Sequence, residues 1–367
     1  MIIKSLELAN FRNYDILHMD FSNGTNILYG DNAQGKTNIL EAIFLSATTK
    51  SHKGAKDREI IKFNQSEGHI RTIMEKDGAE YRLDMHLRKN KSKGIAIDGQ
   101  KVKRAADYVG KMNVVFFSPE DLAIIKNGPS ERRRFMDLEL CQLDASYLYN
   151  LSRFNKLLVE RNKMLKELHE HPDYRILLDV QDSQMISYGQ KIIEIRKKFI
   201  ENLNTIIGPI HFKLTGGKEH LSIFYEPCVE ADEYEAAMQR VKDRDLFLKQ
   251  TSIGPQKDDF SFIVQRENGG EKIDLRKFGS QGQQRTASLS LKLSEIEIVK
   301  QFKKDNPVLL LDDVLSELDS NRQNYLLDTI GDIQTIITCT GYDEFVNHRF
   351  EINKLFEVIN GTVTNKN

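Results

Sequence analysis

The chain has 367 residues, 40% of them hydrophobic, which is enough to bury a sizeable core and, as a prior, to form two domains. Collagen-like, disordered and disulfide-stapled classes are excluded on composition. Its 53 lysines and arginines against 54 aspartates and glutamates leave a formal net charge of −1, so a polyanion partner would have to be held by a local basic patch.

Cys141, Cys228 and Cys339 are odd in number, far apart and in no metal-ligand spacing, which suggests a reducing compartment without structural zinc. The first residues, Met1 to Glu7, carry polar and acidic groups where a secretory signal needs an apolar stretch, and no apolar run reaches membrane-spanning length. A cytosolic (cytoplasmic) protein is expected.

In chain order, Ile3, Leu6, Leu8 and Phe11, then Ile16 and Met19 to Phe21, alternate with polar residues and predict two half-exposed strands. Thr25 to Tyr29 is a short strand running into Gly30, and Ile39, Leu40, Ile43, Phe44 and Ala47 then recur at helical spacing. From Ile60 to Ile97 the alternating pieces broken at Asp77-Gly78, Asn90 and Asp98-Gly99 read as antiparallel hairpins. Val114 to Phe117 reads as a strand buried on both faces.

A helical texture follows. Leu151 to Leu168 and Met185 to Ile206 step by three and four around His171-Pro172, predicting an antiparallel helical hairpin of about four turns per arm, closed by Gly208-Pro209. Strands are expected over His211 to Tyr225 and Phe260 to Leu275, with one amphipathic helix near Asp232 to Gln250. An α/β pattern then returns: a loop at Gly279, a helix from Arg285 to Phe302, the strand Val308 to Leu311, a helix after Ser320 and the strand Thr335 to Thr338.

Gly30-Asp31-Asn32-Ala33-Gln34-Gly35-Lys36-Thr37 matches G-x-x-x-x-G-K-[ST] between a predicted strand and a predicted helix, the context that motif requires. Backbone N–H groups and the helix N-terminus would cradle phosphates, Lys36 would reach the terminal phosphates and Thr37 could ligand Mg2+. ATP or GTP binding is the direct reading. Asp312-Asp313 ends four apolar residues, placing carboxylates at the C-terminal edge of a buried strand, where α/β ligands bind. Asp312 would hold Mg2+ and Asp313 would orient or deprotonate the attacking water, although paired acids also end strands and cap helices for ordinary reasons.

A second glycine loop, Phe278-Gly279-Ser280-Gln281-Gly282-Gln283-Gln284-Arg285, also precedes a helix. Alone it reads as a polar N-cap and turn; beside a complete phosphate loop it reads as a cradle for a nucleotide bound to another copy of the chain, making ATP the glue of a dimer.

Asn10-Phe11-Arg12-Asn13-Tyr14, the phosphate loop, Ser280 to Arg285, and Leu311-Asp312-Asp313 followed by Ser316-Glu317-Leu318-Asp319 together resemble the RecF family of bacterial DNA-repair proteins, relatives of SMC and ABC-type ATPases, from Met1 to about Asp343. The resemblance implies an α/β ABC/SMC-type P-loop ATPase head with an inserted α-helical domain, divided as head 1–118, arm 119–207 and head 208–367. In that division the helix near 232–250 is free to pack with the arm. The resemblance makes Gly30 to Thr37 a Walker A loop, Asp312 the Walker B magnesium ligand, Ser280, Gly282 and Gln283 part of a signature acting in trans, and Ser316 to Asp319 a D-loop. Arg12 and Asn13 are expected to face the nucleotide. The resemblance also implies ATP-dependent dimers on DNA, cooperation with RecO- and RecR-type proteins at single-strand gaps, and support of replication restart and the SOS response. Against ABC cassettes in general, Asp313 stands where the second acid is Glu, Ser118 to Asp121 lacks a Q-loop glutamine, and Thr338-Cys339-Thr340 lacks a switch histidine. Gln256 and Lys257 replace a His-Arg pair usual in the family, a segment with no physical account from sequence.

For DNA, the densest cations are Lys50, Lys53, Lys56, Arg58 and Lys62, with Arg71, Arg82, Arg88, Lys89, Lys91 and Lys93 on adjacent hairpins. Lys53, Lys56, Arg58, Lys62, Arg71, Lys91 and Lys93 are the candidate contacts, the bland reading being a solvated lysine-rich face. Arg132-Arg133-Arg134 cannot all face one duplex from a helix, and pairing with Glu131 or Asp137 is as good a reading. The functional expectation is an ATP-controlled DNA clamp in which slow hydrolysis acts as a timer; the rival is the ATPase cassette of an ABC-type transporter.

Overall fold

The computed structural model describes residues 1–341 and 351–366; Asp343, where the family resemblance ends, lies outside them. The elements begin with β1 (Ile2–Phe11), β2 (Tyr14–Asp20), β3 (Thr25–Tyr29), α1 (Lys36–Thr48) and α2 (Asp57–Ile60). Then come β4 (Glu67–Lys76), β5 (Ala79–Arg88), β6 (Gly94–Ile97), β7 (Gln100–Lys101) and β8 (Val114–Phe117). A mostly helical stretch holds α3 (Leu122–Lys126), α4 (Pro129–Leu143), α5 (Ala145–Glu167), α6 (Tyr174–Leu214), β9 (Glu219–Glu226), α7 (Tyr234–Arg240), α8 (Lys242–Leu248), β10 (Asp259–Arg266), β11 (Ile273–Asp274) and α9 (Leu275–Phe278). The chain ends with α10 (Gln281–Lys303), β12 (Val308–Asp312), α11 (Ser320–Ile330), β13 (Thr335–Cys339), β14 (Ile352–Ile359) and β15 (Thr362–Asn365).

These elements form two compact units, one of residues 1–121 with 292–367 and one of Leu122–Leu291. The first is the head. Its antiparallel sheet runs β2-β1-β4-β5-β6-β7, and its second sheet runs β15-β14-β3-β13-β12-β8, parallel except for β15. The fully buried strands Val114–Phe117 and Val308–Asp312 lie side by side in that second sheet, as continuous apolar runs require. Helix α1 touches strands of both sheets, and residues 39 to 48 are all buried. A helix covered on every side needs an apolar or satisfied residue at each position, so Glu41 and Ser46 carry partners inside the core: Glu41 takes Arg12 and Ser51, and Ser46 accepts from Thr72.

In the second unit α5 and α6 pair as the expected hairpin, but the arms are 23 and 41 residues long. By helix rise α6 spans about 60 Å. Gly208-Pro209 does not close it. The helix continues to Leu214 because His211 is buried, bonded through Nδ1 to Ser290 Oγ at 2.9 Å, and that packing outweighs the one backbone bond proline removes. Residues 211–214 are therefore helical, and the strand expected from His211 begins at Glu219. The single helix expected over 232–250 is two short ones, α7 and α8.

The units also divide the chain elsewhere than expected: residues 208–291 fall with the arm, since β9 packs on α6 and pairs with β10 along its whole length. Buried arginines hold this unit. Arg161 bridges Asp182 at 2.6 Å and Asp245 at 2.7 Å. Arg196 donates to Asp137 at 2.7 Å, Asp258 at 2.8 Å, the Pro255 carbonyl at 2.6 Å and Tyr147 Oη at 2.9 Å. The 254–259 segment thus gains its account as a clasp: its carbonyl and carboxylate oxygens gather Arg196, while Asp259 takes Arg132 at 2.6 and 3.0 Å and the Asp258 carbonyl takes Arg133 at 2.7 Å.

Removing one partner from a buried ion network costs about 3–5 kcal/mol. Arg196→Ala should therefore lower the urea midpoint of the helical unit markedly, followed by far-UV circular dichroism, whereas truncating the exposed Lys197 should leave it within experimental error.

Candidate nucleotide-binding site

Strand β3 delivers Tyr29 to the C-terminal edge of the parallel sheet, and α1 starts at Lys36, so residues 30–35 are the turn between them. Gly30 has φ 146°, and a Cβ there would lie 2.3 Å from the carbonyl oxygen of Val358 on β14. Only glycine lets the loop pass beneath that strand. The Lys36 side chain lies across the loop, its Nζ donating to the carbonyls of Gly30 at 2.5 Å and Asp31 at 2.8 Å. Burial pushes its ammonium below the ordinary value, against the pull of Asp313, Cys339, Asp312 and Asp31.

Sheet register brings the carboxylates to this loop. Leu28 pairs with Thr338 and Thr338 with Asp312, so β13 sits between the loop strand and the acid strand with all three ends level. Thr37 Oγ1 donates to Asp312 Oδ1 at 2.7 Å, and Thr338 Oγ1 donates to the same oxygen at 2.8 Å. Thr338 also accepts from the Asp313 N–H at 3.0 Å. A hydroxyl and a carboxylate oxygen in contact suit Mg2+, which takes few protein oxygens and completes its octahedron with phosphate oxygens and water. Thr37 and Asp312 would hold it.

Asp313 has φ 55°, a left-handed conformation that Asp tolerates far better than longer side chains. Its carbonyl accepts from Ser316 Oγ at 2.9 Å, which ties the following Ser316–Asp319 segment to the strand end.

The β1–β2 turn braces the loop from outside. Asn13 Nδ2 donates to the Gln34 carbonyl at 3.1 Å, Asn13 Oδ1 accepts from Asn38 at 2.8 Å, and Tyr14 Oη donates to the Gly35 carbonyl at 3.1 Å. Burial pushes the Tyr14 phenol up, so it stays a donor. Arg12 differs from its expected role: Nε and Nη2 bind Glu41 at 2.7 and 2.8 Å, and Nη1 binds the Glu59 carbonyl at 2.9 Å. Its guanidinium is engaged with the side of α1. Burial pushes the Glu41 carboxyl up, but hydrogen bonds from Arg12 and Ser51 and the Arg12 charge hold it below the usual range.

Thr338, Glu41 and the turn Asn360-Gly361, whose N–H groups reach Gln34 Oε1 at 2.5 Å and the Gln34 carbonyl at 3.2 Å, are site residues that sequence reasoning missed. The Asn-Gly pair between the alternating Phe356, Val358 and Val363 was a hairpin signal; Thr338 and Glu41 carried none.

In the helical unit the loop expected to act as a signature is a capping box. Ser280 Oγ accepts from the Gln283 N–H at 3.2 Å while Gln283 Oε1 accepts from the Ser280 N–H at 3.0 Å, and Gln283 Nε2 donates to Glu219 at 2.7 Å. Ser280, Gln281 and Gly282 are exposed at the start of α10.

The proposed DNA contacts are largely engaged with acids. Lys62 pairs with Asp15 at 2.7 Å, Lys93 with Asp57 at 2.7 Å, and Arg71 with Asp84 at 2.8 Å and Glu7 at 3.1 Å. Looser pairs join Lys53 to Glu120 and Arg58 to Glu59. Lys56 and Lys91 have no ion-pair partner among the described residues. Arg132 and Arg133 serve the clasp at 258–259 in place of the expected Glu131 or Asp137.

Set against known proteins, the chain matches the family described as RecF/RecN/SMC N terminal domain over residues 2–364. It is 57% identical over 363 residues to the DNA replication and repair protein RecF of Agathobacter rectalis, with 99% of each chain covered. A solved structure of the recombination mediator protein RecF with ATP, from the RecFOR pathway, is 34% identical with a TM-score of 0.90, covering 100% of this chain and 97% of that one. An Smc head domain from Pyrococcus furiosus, carrying an extended coiled coil and bound to the C-terminal domain of ScpA, has a TM-score of 0.54 at 15% identity over 99% and 95% of the two chains, a likeness of fold.

Thr338→Val keeps shape but removes the hydroxyl that holds Asp312. It should weaken the magnesium-dependent part of nucleotide binding about tenfold, the equivalent of one lost hydrogen bond, leave binding in EDTA unchanged, and be rescued by Thr338→Ser; titration calorimetry with and without Mg2+ separates these. Asp121 gives a pH prediction. Burial raises its carboxyl to about 6, against the pull of Lys292 and the Ser118 N–H. A carboxyl raised above its unfolded value of 3.8 destabilises the folded state fully above pH 6, and the deficit shrinks as pH falls and is gone only below that unfolded value. Asp121→Asn should therefore raise the melting temperature at pH 8 and raise it far less at pH 4, and equal shifts at both pH values would refute this.

Proposed function

The chain belongs to the RecF family of DNA replication and repair proteins, and on that premise we propose that it is an ATP-controlled DNA clamp. In this reading ATP joins two copies of the chain, the joined heads grip DNA at single-strand gaps, and slow hydrolysis releases them. The observation that carries it is the 2.7 Å contact between Thr37 and Asp312, residues 275 apart in sequence. A chance glycine turn would have no reason to meet a carboxylate at the end of a neighbouring buried strand.

The residues divide the chemistry between them. Loop N–H groups and Lys36 would neutralise the phosphates, Thr37 and Asp312 would hold a magnesium ion, which supplies positive charge against the phosphate oxygens when bound, and Asp313 would orient the attacking water. Asp313 is held by its own N–H bond to Thr338 in a left-handed conformation, which limits its reach and favours a slow timer over rapid turnover. The Ser280–Gly282 helix start, pre-ordered by its capping box, supplies the anion cradle that one copy offers to the nucleotide of the other. For ATP to move the monomer–dimer balance from 1:99 to 99:1 it must favour the dimer by about 10⁴-fold, roughly 5.5 kcal/mol, which is within reach of two sites closed by charge-assisted hydrogen bonds.

RecO- and RecR-type proteins are the proposed partners, in replication restart and the SOS response, in the cytoplasm. A transporter cassette is disfavoured by the same strand end: Thr338 holds Asp312 at the position where a switch histidine would follow. Among the described residues no helix is long and apolar enough to cross a membrane.

Two variants test the clamp. Lys36→Met should abolish nucleotide binding and dimerisation together, while Asp313→Asn, tolerated at φ 55°, should dimerise with ATP and remain dimeric longer than wild type. Sedimentation showing the same ATP-insensitive mass for both variants would overturn the reading, and gapped, single-stranded and double-stranded DNA titrated with ATP, with ADP and without nucleotide would show which state grips DNA.

A further inference from the structure

The hairpin formed by β14 and β15 ends the chain more than 300 residues after the phosphate loop, yet its turn grips that loop. The Gln34 carbonyl accepts from the Gly361 N–H at 3.2 Å and from Asn13 Nδ2 at 3.1 Å, and Gln34 Oε1 accepts from the Asn360 N–H at 2.5 Å. One strand earlier, the Val358 carbonyl lies over Gly30. The loop is therefore met by the hairpin near both its first and its last residues.

Peptide geometry gives these contacts a consequence. A trans peptide is planar, so the C=O of one residue and the N–H of the next point to opposite sides of the chain. Holding the Gln34 carbonyl toward Asn13 and Gly361 turns the Gly35 N–H to the opposite side of the loop. Tyr14, by holding the Gly35 carbonyl at 3.1 Å, turns the Lys36 N–H in the same way. Those two N–H groups lead into α1 and belong to the part of a G-x-x-x-x-G-K-[ST] loop that cradles phosphate.

We infer that the Asn360–Gly361 turn is a positioning element of the phosphate loop, and that nucleotide binding and docking of the C-terminal hairpin stabilise one another. The inference rests on the nucleotide-binding reading above and extends it to a segment no motif marks. If the docked turn raises the population of the binding-competent loop by some factor, bound nucleotide must stabilise the docked turn by the same factor, because linkage is reciprocal. The edge of the parallel sheet would then report nucleotide occupancy.

A matched pair of substitutions separates this from general loss of stability. Gly361 has φ 75°, and a Cβ there would lie 3.1 Å from Asn13 Nδ2; Gly78, in the β4–β5 turn, has φ 74° and nothing within 4 Å. Valine strains both backbones alike, but only Gly361→Val meets a neighbour, Asn13, and so presses the turn away from the place where it and Asn13 share the Gln34 carbonyl. With a fluorescent ADP analogue, Gly361→Val should bind about tenfold more weakly than wild type and Gly78→Val within about twofold of it. In the unmodified full chain, ADP should slow hydrogen exchange across residues 356–365, a change that a merely structural hairpin would not make, and Lys36→Met should lose it. Equal ADP affinity for the two glycine variants, or unchanged exchange at 356–365 on saturating ADP, would overturn the inference while leaving nucleotide binding intact. Failure of wild type itself to bind ADP would overturn both.

Discussion

One carboxylate oxygen organises the head. Asp312 Oδ1 receives hydroxyls from Thr37 and Thr338, three residues on three different segments, and it does so 9% exposed, where an unsatisfied carboxylate would be costly. That arrangement exists only because β3, β13 and β12 run parallel with level ends, and they run parallel because the intervening chain crosses over before each strand is added. Shifting β13 by one residue would turn Thr338 to the other face and leave Asp312 short of a donor. The register of a buried sheet is thus the constraint from which the chemistry follows.

The near-neutral charge takes on a different meaning in the folded chain. Many cations are committed internally: Arg161 and Arg196 at the heart of the helical unit, Arg132 in its clasp, Arg12 against α1, and Lys93 between Asp57 and the Thr49 carbonyl, where burial lowers its pKa. A row of alternating charges also crosses the antiparallel sheet from Glu7 to Arg71 to Asp84 to Arg82. Counting lysines and arginines along the sequence overstates the positive surface available to a polyanion, since a paired cation offers a phosphate little that its acid does not already claim.

What was legible in the sequence was what is local. The phosphate loop, the acids closing an apolar strand and the signature turn each show their physics within eight residues, so their places on strand ends and helix starts follow from spacing. The hairpins at Asp77-Gly78 and Asp98-Gly99 were equally plain, with φ of 51° and 74°, and 51° and 77°. Illegible features depend on partners far along the chain. Thr338 looks like any β-branched strand residue until Asp312 is beside it, Pro209 looks like a terminator until His211 finds Ser290, and Arg12 looks like a ligand-facing cation until Glu41 is found on the buried helix it flanks. The arm boundary was misplaced for the same reason: β9 reads as a strand, and nothing local says that it packs on α6.

The same distinction bears on how a phosphate loop can work at all. Its glycines make it permissive, and a permissive loop populates many conformations besides the one whose N–H groups converge on phosphate. The chain resolves this by fixing carbonyls rather than N–H groups: Asn13, Gly361 and Tyr14 act on the carbonyl oxygens of Gln34 and Gly35, and planarity orients the inner hydrogens, while Asn360 holds the Gln34 side chain. The braces come from the β1–β2 turn and the β14–β15 turn, so two segments far apart in the sequence converge on one loop, and its shape is set by the assembled head rather than by its own eight residues.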